Sequence, residues 1–147
     1  MQSSQASVPQ RTFDGVRRWL NAVGKGPEGG IYSYQANGGK QSPAMIATGA
    51  FCAQLMGLSP NTDRAIETTR RIAALGVVAD DRYDSYYAML AAGQNQGSLW
   101  RTWGRDLREA LLASQAANGT WAPGGPHANR MGTVVATAFA ALSLQAH

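Results

Sequence analysis

Charge comes and goes along this chain with helix-length regularity, and that alternation constrains the fold more than any other feature. Six apolar-rich stretches lie near residues 11–23, 43–56, 61–75, 83–95, 99–116 and 131–146, separated by loops rich in Gly, Pro and Asn. The second (PAMIATGAFCAQLM) and the sixth (MGTVVATAFAALSLQA) contain no charged residue, and the fourth (YDSYYAMLAAGQN) contains only Asp84, at its start. The first, third and fifth are amphipathic. The fifth places Leu107, Leu111 and Leu112 on one stripe and Arg105, Asp106, Arg108 and Glu109 elsewhere. A helix without a polar face must be covered on more than one side, whereas an amphipathic helix needs one covered side. The order along the chain is therefore outer, inner, outer, inner, outer, inner, which predicts three stacked αα-hairpins.

Alanine occurs in every stretch and favours helix. Strand-like alternation is confined to Ile31-Tyr32-Ser33-Tyr34, so the expected class is all-α. Thr48-Gly49-Ala50-Phe51, Ala88-Met89-Leu90-Ala91 and Thr137-Ala138-Phe139-Ala140 take equivalent places in the three inner segments, starting 40 and 49 residues apart. Periods of this size indicate a helical repeat. The 147 residues suffice for one domain. Residues 1–10 read as a flexible N-terminal segment and 11–147 as the repeat domain.

Composition excludes several functions. A single cysteine, Cys52, precludes an internal disulfide. The net charge of +4 comes from scattered arginines and lysines with acids close by, not from a concentrated basic face, so no nucleic-acid partner is expected. The uncharged run 131–146 falls short of the roughly 20 residues that span a bilayer. With no basic start followed by an apolar run, and one cysteine, a cytoplasmic location is expected. The Gly-rich segment Gly24–Gly30 (GKGPEGG) follows no predicted strand and contains Pro27, and is read as a turn, not a phosphate cradle.

Gln115-Ala-Ala-Asn-Gly119-Thr-Trp121 matches the QxxxGxW repeat of squalene-hopene and oxidosqualene cyclases. A degenerate relative lies at Trp19-Leu20 through Gly30-Ile31-Tyr32, with Gly-x-Tyr in place of Gly-x-Trp. From about residue 11 the chain resembles the α/α-toroid repeats of the terpenoid cyclase and protein prenyltransferase superfamily, including bacterial prenyltransferase and squalene oxidase repeat proteins. The motif has a physical rationale: the Gln side chain bonds the turn, Gly119 permits a left-handed turn, and Trp121 pins neighbouring hairpins. It argues for fold, not chemistry.

The resemblance directs attention to particular residues. Cyclases of the superfamily protonate an alkene with an Asp-x-Asp-Asp motif. Here the local sequence is Val78-Ala79-Asp80-Asp81, which makes Asp80 the one candidate acid. The competing reading is that Asp80, Asp81 and Asp84 cap and start a helix. Prenyltransferases bind zinc through Asp, Cys and His, but Cys52, His127 and His147 do not reproduce that spacing, so neither metal nor cofactor is expected. Tyr83, Tyr86 and Tyr87, with Tyr32 and Tyr34, cluster near the starts of inner helices, where aromatics line an isoprenoid pocket or plug the centre.

Complete toroids of the superfamily carry roughly six or seven hairpins, whereas three are present here. An arc of three leaves its flanks uncovered, and Val134, Val135, Phe139 and Leu142 would form an association face. The expectation is a non-catalytic scaffold or protein-interaction module, a homo-oligomer or one completed by another subunit. The alternatives are an isoprenoid enzyme whose cavity is completed by dimerisation, and a carrier of an apolar ligand.

Overall fold

The computed structural model describes residues 7–125 and 128–146. Six helices account for almost all of the regular structure: α1 (Gln10–Val23), α2 (Pro43–Leu55), α3 (Asp63–Leu75), α4 (Arg82–Asn95), α5 (Ser98–Ala113) and α6 (Ala128–Gln145). The fold is all-α, and five of the six helices begin within two residues of the expected positions. α6 is broken at Gly132, where the backbone turns to φ 64° and ψ 167°; its long uninterrupted run begins only after that residue. The segment 24–30 does form a turn, but it closes a hairpin of two two-residue strands, β1 (Gly24–Lys25) and β2 (Ile31–Tyr32), paired antiparallel with Gly24 opposite Tyr32.

Local chemistry sets the helix starts. Ser42 Oγ accepts the N–H of Met45, and Pro43 follows at the first helical position. Thr62 Oγ1 accepts from Ala65, and Asp81 Oδ1 accepts from Asp84 at 3.1 Å. Each satisfies an amide that the helix itself cannot.

The three charge-poor helices, α2, α4 and α6, form one layer. α4 lies between α2 and α6, while α3 packs on α2 and α5 on α4. Alanine makes the close approach possible: Ala47 and Ala50 of α2, Ala88, Ala91 and Ala92 of α4, and Ala136 and Ala140 of α6 are all buried. Ile46 and Met89 fill the inner layer, and the stripe of α5 contributes Leu107 and Leu111, all almost wholly buried. Each such side chain contributes about 1.5–3 kcal/mol. Leu112 is half exposed, so the stripe is one residue narrower than the sequence suggested.

At the α5–α6 connection, Gln115 Nε2 donates to the carbonyl of Gly119 at 3.0 Å. Gly119 itself adopts φ 82°, in the region that glycine enters without steric cost. Trp121 is buried; its indole N–H donates to Leu111 O at 2.8 Å and its backbone N–H to Thr137 Oγ1 at 3.1 Å. One residue thus ties the end of α5 to the body of α6.

The other end is tied differently. Arg64 of α3 donates to Leu20 O (2.8 Å), Asn21 Oδ1 (2.6 Å) and Tyr32 Oη (3.1 Å), with its guanidinium over the Tyr32 ring. The carboxylate of Glu67 accepts from the amides of Gly30 (2.7 Å) and Glu28 (3.2 Å), and Thr68 Oγ1 donates to Gly30 O at 2.6 Å. The hairpin is held down on α3 by these bonds. Its Gly-rich loop does cradle an anion, and that anion is the chain's own Glu67.

Candidate functional site

The starts of α2 and α4 lie side by side and enclose a cavity of about 440 Å3. Ser42, Pro43, Ala44 and Met45 line it from α2 and its cap, Asp81, Tyr83 and Asp84 from α4 and its cap, and Tyr34, Lys40 and Val78 from the preceding loops. The wall is predominantly apolar, with charge supplied by Lys40, Asp81 and Asp84. The volume falls within the ordinary range for small-molecule sites.

Asp81 caps α4 through its bond to the Asp84 amide. Asp84, three residues later, is 4% exposed. Burial, reinforced by the negative charge of Asp81, raises its carboxyl to about 6. The folded protein therefore holds this proton more tightly than the unfolded chain. Asp84 favours folding most below the unfolded value near 4, and that contribution is lost as pH rises through about 6.

Asp80 is exposed and lies outside the cavity lining. Its backbone is covered by the 122–125 loop, since a Cβ on Gly124 would come within 2.7 Å of Asp80 O. The Asp80 charge acts on Arg82, a buried arginine whose Nε and Nη1 have no hydrogen-bond partner. Burial lowers the Arg82 pKa, and Asp80 partly offsets that effect.

The five singled-out tyrosines separate into three settings. Tyr34 and Tyr83 line the cavity. Tyr32 is buried beside a neighbouring hollow of about 480 Å3, bonded to Arg64 and so close to Gly49 that a Cβ there would fall 2.3 Å from its ring. Tyr86 and Tyr87 join Tyr83 in an aromatic cluster spanning the inner layer, with Phe51 from α2 and Phe139 from α6. Centroid separations run from 4.9 Å (Tyr83–Tyr87) to 6.4 Å (Phe51–Tyr87), and Tyr83 meets Phe139 edge-on. Such pairs contribute about 0.5–1.5 kcal/mol each. Tyr83 therefore belongs to both the cluster and the cavity wall.

Cys52 is partly buried and free, at the edge of the second hollow, and burial raises its thiol pKa. His127 and His147 lie outside the described residues. Among the described residues no group of His, Cys, Asp and Glu is arranged to hold a metal ion, and no helix is long and apolar enough to cross a membrane.

The second notable surface is the outer flank of α6. Val134 is 83% exposed and Val135 and Leu142 about two-fifths exposed, while Phe139 turns inward to the aromatic cluster. Of the association face read from the sequence, Phe139 is thus half-buried against the tyrosines of α4 and the other three members are exposed.

None of the three charged residues lining the cavity, Lys40, Asp81 and Asp84, was singled out as a ligand contact from the sequence. Asp84 left a signal there: it is the one charge on an otherwise charge-free segment. Lys40 left none. No protein-family model, curated protein or solved structure matches this chain.

Proposed function

We propose that this chain is a non-catalytic α/α-toroid repeat domain, an arc of three hairpins that serves as a protein-interaction scaffold by pairing with a second copy of itself through the flank of α6. The observation that carries this reading is the exposure of Val134, Val135 and Leu142 on a helix with no charged residue between 131 and 146. A two-fold pair brings the same patch against itself, so any charge on it would face its like. Between 131 and 146 α6 has none; Arg130, exposed, precedes Val134 by four residues. The α1 end offers exposed Val16 and Trp19 but also exposed Arg11, Arg17 and Arg18, which would oppose one another. Two arcs joined at α6 would make a six-hairpin array, the number that the toroid resemblance calls for.

The isoprenoid-enzyme reading has less behind it. An acid that protonates an alkene needs surroundings that keep it protonated, and Asp80 is exposed to water.

Sedimentation equilibrium on the purified chain tests the pairing. The expected mass is twice the 15.6 kDa of one chain, reverting to one chain for the double variant Val134→Glu/Leu142→Glu with its helical circular dichroism unchanged. A wild-type monomer at every concentration, or a double variant that still pairs, would overturn the proposal.

A further inference from the structure

The cavity between the α2 and α4 starts contains a charge that the fold leaves unmatched. Asp84 is nine-tenths buried, yet its carboxylate accepts no hydrogen bond; only its backbone N–H is engaged, by Asp81. Its oxygens are not among the sealed polar atoms, so they remain reachable from the cavity that the residue lines. Buried carboxylates are ordinarily matched by a cation or by several N–H donors. The nearby cations do not fill that role. Arg82 has its Nε and Nη1 unbonded, and Lys40, at the exposed edge of the lining, makes no ion pair with Asp84.

The remaining lining describes what would match the charge. Tyr34 and Tyr83 offer aromatic rings, and Pro43, Met45 and Val78 an apolar wall. A metal ion would require several oxygens around it, but Asp81 already caps α4 and the wall supplies few others. Carboxylate, rings and hydrocarbon together suit a cation whose charge is wrapped in carbon. We infer that this cavity binds a small organic ammonium ion, with Asp84 as its counter-ion and the rings of Tyr34 and Tyr83 against its alkyl groups. The site is separate from the α6 flank, so pairing and binding stand or fall independently.

Calorimetric titration of the full chain with choline, beside its uncharged isostere 3,3-dimethylbutan-1-ol, tests this. At pH 7.5 choline is expected to bind one per chain and about tenfold or more tighter than the alcohol, the difference that a buried charged partner makes. Asp84→Asn is expected to erase that difference. Tyr34→Ala, at a position 68% exposed and therefore safe for folding, should weaken choline about threefold and reduce the upfield ring-current shift of its methyl resonance. Lys40→Ala, which removes a like charge from the cavity edge, should strengthen binding about twofold.

Protonation of Asp84 removes the counter-ion, so wild-type affinity is expected to fall as pH drops through about 6, and Asp84→Asn to show no such fall. The other titratable groups facing the cavity are Asp81 and Tyr83 on the α4 side and Tyr34 and Lys40 on the α2 side. The asparagine variant separates Asp84 from all four. Equal wild-type affinity for choline and the alcohol, or undiminished choline binding by folded Asp84→Asn, would overturn the inference. Should Asp84→Asn not fold, unchanged choline binding and methyl shift in Tyr34→Ala would do so.

Discussion

The two ends of the helical stack are finished in opposite ways. At the N-terminal end, Arg64 and Glu67 of α3 fasten α1 and the β-hairpin with directed, charge-assisted bonds, and the outward face of α1 carries Arg11, Arg17 and Arg18. At the C-terminal end, α6 is held by alanine packing, by the aromatic cluster and by Trp121, and turns bare valine and leucine outward. The first end satisfies its polar groups locally and meets water with charge set among exposed Phe13, Val16 and Trp19. The second satisfies its polar groups but leaves its apolar surface unspent. Only the second end presents an apolar surface without a charged residue between 131 and 146, and the proposed pairing rests on that difference.

The sharpest way to break this contrast is to remove the C-terminal pin. Trp121→Ala should cost about 3–5 kcal/mol in denaturant unfolding, from the large cavity it leaves and the loss of the indole bond to Leu111 O, and should loosen α6 in hydrogen exchange before α3. At the opposite end Glu67→Ala should cost about 2 kcal/mol, since two loop amides lose a charged acceptor; protection should fall at Gly30 and Glu28 while α6 is unaffected. The smallest effect belongs to Thr137→Val, which keeps the shape but removes the acceptor for the Trp121 amide, for about 1 kcal/mol in the same unfolding measurement. If Glu67→Ala destabilised α6 as much as the hairpin, the two ends would be one cooperative unit and the contrast would be superficial.

The layers were legible in the sequence because burial on several sides leaves a compositional mark: α2 has no charged residue, and α4 and α6 carry theirs only in their first turn, for the same reason that the three lie in one layer. The α5–α6 turn was legible because its bonds join residues within a few positions, Gln115 to Gly119 above all. The N-terminal fastening was not. Arg64 and Glu67 reach partners 32–44 residues away, and an arginine and a glutamate on an amphipathic helix look the same whether they face water or a loop. The cavity was legible only in part. Tyr34 and Tyr83 stood out as aromatics at inner-helix starts, but Asp84 resembled an ordinary acid in a first helical turn, and its depth and missing partner are properties of packing.

The break at Gly132 has a consequence of its own. With φ 64° and ψ 167° the backbone there is the mirror image of an extended conformation, and no atom lies within 4 Å of where a Cβ would stand. The obstacle to a side chain is thus handedness and not room. Gly132→Ala would therefore strain the entry to α6 through backbone conformation alone, with no packing cost added to it.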